Sequence, residues 1–233
     1  MLKPAGLSSE ELEWQAQVLG SVAGCGLRLW PPVRAQDGRL EVEGWAAWTY
    51  LPGQHEAGRW LDIIEVGRRL HGHLADQPRP AFLAGRTDAW ARADRVAWGE
   101  HALQDFRHVR HVQRLSAALR PVTAPCQLIH GDLSGNVLFS SEAPPAVIDF
   151  SPYWRPAGYA SAVVVADALV WEGAGENLLE DVALLPDMAQ YLLRALIFRR
   201  VSEAVLGAGE PIRSSGPDPY ARAVELACRL AER

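Results

Sequence analysis

Apolar and polar positions follow two regimes along the chain, changing near residue 50. Before it, apolar runs are short and divided by turn residues. Leu2-Lys3-Pro4 reads as a short extended segment. Ser8-Ser9-Glu10-Glu11 sets hydroxyl caps ahead of acids, which predicts a helix start, and the helix should stop at Gly20. Residues 26–33 read as a strand, Asp37-Gly38 as a hairpin turn and residues 40–50 as the return strand. Leu51-Pro52-Gly53 then breaks the pattern. Beyond it, Leu61, Ile64, Val66, Leu70 and Leu74 recur at helical spacing and predict a helix over 60–74. Further helices are expected over 97–119, 160–171, 186–206 and 219–231. Residues 126–139 read as an apolar strand interrupted by a polar turn, and 146–150 as a second short strand. The expected fold class is α+β in two lobes. Residues 1–52 would form a small lobe of strand, helix and β-hairpin, and residues 53–233 a mainly helical lobe holding one hairpin.

Composition narrows the classes of function. Hydrophobic residues make up 48% and charged residues 22% of the chain, as in a globular protein. No apolar run reaches the roughly 18–20 residues that span a bilayer. The longest, 160–171, carries Asp167. No basic-then-apolar leader opens the sequence, so a cytoplasmic location is expected. The net charge of −5 is spread along the chain without a basic stripe, which speaks against nucleic acid as a partner. Cys25, Cys126 and Cys228 are odd in number and form no CxxC pair, which argues against disulfides or a zinc knuckle. Lys3 is the only lysine among 23 basic residues. A compact ammonium kept in so arginine-rich a chain marks Lys3 as a candidate functional cation.

The chemistry concentrates in residues 127–150. In Gln127-Leu-Ile-His-Gly-Asp-Leu-Ser-Gly-Asn-Val-Leu-Phe139, apolar residues flank a polar core of His130, Gly131, Asp132, Ser134, Gly135 and Asn136. Ala146-Val-Ile-Asp-Phe150 ends a second strand on Asp149. A hairpin between them would bring Asn136 and Asp149 together with Asp132 at the loop crest. Phosphoryl transfer needs hard oxygen ligands for magnesium, a role that fits Asn136 and Asp149. It also needs a carboxylate at the acceptor hydroxyl, which fits Asp132. His130 suits a loop-holding role, and Gly131 a place where a side chain would clash.

This pattern, His130-Gly131-Asp132-Leu133 with Asn136 and then Ile148-Asp149-Phe150, resembles the aminoglycoside phosphotransferase and choline-kinase-like branch of the protein-kinase fold. The string from Asp149 to Pro156 is similar to a less-characterised bacterial subgroup of that branch. The resemblance implies a two-lobe kinase-like fold, ATP and magnesium as cofactors, and transfer of the γ-phosphate to a hydroxyl of a small molecule. It implies that Lys3 meets the ATP phosphates, held by a glutamate of the following helix. Glu11 is the first choice, with Glu10 and Glu13 as rivals. It further implies that the segment from Trp48 through Tyr50 to Pro52 meets the adenine through its backbone, and that Asp167 anchors the catalytic loop.

Two features depart from the family pattern. Lys3 stands almost at the start of the sequence given, ahead of which the family has two strands and a nucleotide-covering loop, so a truncated small lobe is expected. Asn136 follows Asp132 by four positions where most members have five. A non-catalytic nucleotide-binding pseudokinase or interaction protein is therefore the alternative. A more distant one is a metal-dependent hydrolase using His101, His108 and His111, which fall near one face of the helix expected over 97–119. Glu172, Glu176, Glu180 and Asp181 would suit a cationic acceptor if they lined its pocket. Nothing in the sequence fixes the oligomeric state.

Overall fold

A computed structural model describes residues 1–22, 24–207 and 218–233. It divides into two compact units, Met1–Leu83 with Cys126–Arg155, and Ala84–Pro125 with Pro156–Arg233. The expected boundary at residue 52 is therefore not where the units part. Pairings distant in sequence explain the difference: residues 28–29 pair with 146–147, and Gln54 bridges to Phe139.

The first unit begins with β1 (Leu2–Pro4) and α1 (Ser9–Ser21). Ser8 caps α1 through a capping box, in which Glu11 N–H donates to Ser8 Oγ and Ser8 N–H to Glu11 Oε2. The strand expected over 26–33 is split into β2 (Arg28–Leu29) and β3 (Pro32–Val33). The strand expected over 40–50 is split into β4 (Glu41–Val42) and β5 (Trp45–Trp48). Glu43 and Gly44 cause the second split, since both take positive φ (51° and 80°) and reverse the chain in two residues. β1, β3 and β4 all pair antiparallel with β5. Lys3 lies opposite Ala46, so the two-residue period of the strand sets it on the face that carries Trp48. Leu12, Trp30, Leu40, Ala46 and Trp48 form the core beneath this sheet.

α2 (Trp60–Leu74) packs against β6 (Gln127–His130). β7 (Val137–Leu138) and β8 (Ala146–Val147) form the expected hairpin, and β2 joins β8 in parallel. β9 (Pro152–Arg155) returns antiparallel to β6.

In the second unit, the helix expected over 97–119 is broken. α3 (Phe82–Gly85) crosses into this unit, and α4 (Ala89–Ala97) follows. A 3-10 turn (Leu103–Phe106) and α5 (Val112–Ala117) complete the stretch. Positive φ at Gly99 and His111 ends helical continuation there. α6 (Ala157–Trp171), α7 (Glu176–Val182), α8 (Met188–Leu206) and α9 (Tyr220–Ala231) follow. α8 packs on α4, α5, α6 and α9. Among the described residues no helix is long and apolar enough to cross a membrane.

Candidate active site

The polar core of residues 130–136 lies where β6 ends and the chain turns toward β7. Gly131 N–H donates to Ser151 O at 2.9 Å, which closes the β6–β9 pair directly before Asp132. A Cβ on Gly131 would lie 2.3 Å from the Tyr153 ring, so only glycine lets the ring cover the strand end. His130 is fully buried. Its Nδ1 accepts the Asp132 N–H at 3.2 Å, and its Nε2 lies 3.2 Å from Ile148 O. Accepting at one nitrogen and donating at the other requires a neutral ring with its proton on Nε2. Burial favours this form by lowering the His130 pKa, while the nearby Asp132 charge works the other way.

The loop, though one residue short, still brings Asn136 to Asp132. Asn136 N–H donates to Leu133 O. Its Nδ2 donates to Asp132 O at 2.8 Å and lies 3.4 Å from Asp132 Oδ2. That leaves Asn136 Oδ1, a hard oxygen, without a hydrogen-bond partner among the described residues. Ile148 N–H donates to Asn136 O, one residue before Asp149. Asp149 takes a positive φ of 47° and is exposed. A non-glycine residue in this region marks local strain of the kind found at functional turns.

Lys3 approaches this turn from the small sheet. Its ammonium pairs with Asp149 and lies 4.3 Å from the Trp30 ring and 5.3 Å from the Trp48 ring. The two indoles lie 5.2 Å apart, tilted by 31°. Lys3, Gln15, Trp30, Trp48, Asp149 and Phe150 help to line a cavity of ≈ 280 Å³. Lys3, Trp48 and Asp149 are thus brought together, as are His130, Asp132 and Asn136.

Other expectations need correction. Glu11 is not the partner of Lys3, because its carboxylate closes the α1 capping box. Glu13 pairs with Arg34, which lowers its pKa. The Tyr50 side chain is 74% exposed and does not line the cavity, which leaves its expected backbone contact untouched. Asp167 is buried, as its apolar helix requires, and Arg199 pairs with it through two contacts, 2.8 and 2.6 Å, a pairing that does not bear on its expected role at the catalytic loop. His101, His108 and His111 do not share a helix, and His111 Nε2 lies 2.5 Å from Asp218. No three His, Cys, Asp or Glu side chains converge as a metal site among the described residues. Glu176 pairs with Arg229, and Glu180 lines a small cleft with Arg229 and Arg233, so these two α7 acids meet arginines rather than line a purely acidic pocket.

Sequence reasoning missed two residues. Gln15, 5% exposed, sits on the buried face of α1 and donates from Nε2 to Phe150 O at 3.0 Å. His71, 2% exposed, accepts the His130 N–H at Nε2, 3.1 Å away. A polar side chain inside an apolar helical stripe was the available signal for both.

Comparison with known proteins bears on the family and the fold. The model of the phosphotransferase enzyme family matches residues 1–153. An amicoumacin kinase, solved with AMP-PNP and Ca2+, superposes with a TM-score of 0.61 at 13% identity, over 99% of this chain and 80% of that one. A thermostable mutant of aminoglycoside phosphotransferase APH(4)-Ia gives 0.59 at 14% identity, over 99% and 86%. A spectinomycin phosphotransferase, APH(9)-Ia, gives 0.50 at 15% identity, over 99% and 84%. No curated protein sequence matches the chain. A family match over residues 1–153 that takes in the Asp132 loop, Asp149 and Lys3, together with the kinase-like fold, shows that the chain belongs to the phosphotransferase enzyme family.

Proposed function

We propose that this chain transfers the γ-phosphoryl group of ATP to a hydroxyl of a small molecule, in the presence of magnesium. The observation that carries the reading is the gathering of Asp132, Asn136, Asp149 and Lys3 within one unit, at strand ends tied by backbone hydrogen bonds. Asn136 Oδ1 and the Asp149 carboxylate suit the oxygen preference of magnesium and would hold it. When bound, that ion would supply positive charge to offset that of the phosphates. The Lys3–Asp149 pair is partly exposed, with side-chain exposures of 31% and 50%. Such pairs contribute only about 0–1 kcal/mol, so Lys3 can exchange Asp149 for a phosphate oxygen at little cost.

The acceptor oxygen attacks the γ-phosphorus as the bond to the ADP oxygen breaks. The hydroxyl proton passes to the Asp132 carboxylate, and ADP leaves with the bonding electrons. His130, neutral and buried, orients the Asp132 backbone rather than moving a proton. Trp48 N–H and O are both taken by Met1, and Thr49 O by Trp30 Nε1, so the adenine would meet the backbone of Tyr50 to Pro52. Two of the solved structures it resembles are named an amicoumacin kinase and a spectinomycin phosphotransferase, which favours a small-molecule acceptor of that kind. The cytoplasm would supply the ATP.

Thermal unfolding with and without Mg-ATP tests the nucleotide half of this reading. At one hundred times Kd the ligand should stabilise the protein by about 2.7 kcal/mol. The gain should vanish in Asp149→Ala. An unshifted transition in the unsubstituted chain would refute nucleotide binding.

A further inference from the structure

Among the described residues β6 has a strand partner, β9, on one edge only. On the other edge lies α2, and there the His130 N–H meets not a carbonyl but the imidazole of His71, at 3.1 Å. Without that acceptor the group would be a buried orphan, at a cost of about 1–3 kcal/mol. The next two N–H groups are also held, Gly131 by Ser151 O and Asp132 by His130 Nδ1. Three consecutive amides leading to the candidate base are thus fixed, the first and third by imidazole nitrogens. Gln127, at the far end of β6, donates from Nε2 to His71 O at 2.7 Å. One helical residue therefore holds both ends of the strand.

We propose that His71 is a positioning residue for phosphoryl transfer: by accepting the His130 N–H it sets the strand end from which Asp132 meets the acceptor hydroxyl. The role rests on the phosphotransferase reading above. It requires a lone pair on His71 Nε2, hence a neutral ring protonated at Nδ1, the opposite tautomer to His130. Burial, followed by the proximity of His130, holds the His71 pKa down at about 3, which keeps that lone pair free. A glutamine here can place Oε1 where Nε2 now accepts; a leucine cannot accept, and an asparagine is too short to reach.

The test compares full-length His71→Leu, His71→Gln and Asp132→Asn, using Mg-ATP with water as the acceptor and amide exchange by NMR. In His71→Leu the His130 amide should exchange at least about tenfold faster. ADP release should fall about 10–100-fold, as a misplacement of the order of 1 Å costs, with KM for ATP within about twofold. His71→Gln should restore most of both. Unchanged exchange of His130 in His71→Leu would overturn the proposal. So would a loss that His71→Gln does not recover, or one confined to KM. If His71→Leu does not fold, His71→Asn against His71→Gln makes the same comparison. If ADP release does not depend on Asp132, the phosphotransferase reading fails and the role falls with it. If release depends on Asp132 but not on His71, the positioning role alone fails.

Discussion

Acid should destabilise this protein through His71 in a way that one substitution removes. The imidazole is 2% exposed, and burial lowers its pKa from 6.5 to about 3. Between those values the unfolded chain binds a proton that the folded chain refuses. The contribution to stability is therefore fully present above pH 6.5 and is lost as pH falls toward 3. The slope approaches about 1.4 kcal/mol per pH unit, and the loss reaches about 2 kcal/mol by pH 5. His130, also lowered by burial, adds a loss of the same sign. Urea unfolding followed by tryptophan fluorescence, from about pH 7.5 to 5, measures the effect. His71→Gln cannot titrate there. It should be less stable than the unsubstituted chain at the upper pH, with a gap that shrinks by about 2 kcal/mol by pH 5. Parallel stability curves for the two proteins would refute the claim that His71 is held neutral.

Two further predictions concern packing. Asp167→Ala leaves the Arg199 guanidinium without its buried carboxylate and should cost about 3–5 kcal/mol in urea unfolding, much of it recovered by adding Arg199→Met. Gly131→Ala places a methyl group 2.3 Å from the Tyr153 ring. It should cost about 1–3 kcal/mol, and Tyr153→Leu in the same chain should return part of that.

What could be read from the sequence was mostly local. His130, Asp132, Asn136 and Asp149 are fixed by short turns and a tight hairpin, so their spacing nearly determines their juxtaposition. Glu11 shows the limit of local reasoning. Ser8-x-x-Glu11 is itself a capping-box pattern, and that local use won over a partnership with Lys3. Lys3 and Asp149 are 146 residues apart, and only the strand pairings bring them together. The helix expected over 97–119 failed because apolar spacing is blind to the backbone reversals at Gly99 and His111. The boundary at Leu51-Pro52-Gly53 is a real break in local pattern, yet β2 pairs with β8 across it. His71 lies on the apolar face of α2 with Leu70 and Leu74, as its spacing predicts. Its use as an acceptor depends on β6, which the helix pattern cannot reveal.

The proposed role of Asp132 in phosphoryl transfer from ATP to a hydroxyl is open to direct measurement. Transfer of labelled γ-phosphate from Mg-ATP to a panel of hydroxylated antibiotics, in the unsubstituted chain and in Asp132→Asn, tests it most directly. A phosphorylated product is expected from the unsubstituted chain. In Asp132→Asn its rate should fall about 10²–10⁴-fold while Mg-ATP still binds. Equal rates in the two proteins, or Mg-ATP binding without transfer to any acceptor, would contradict the account.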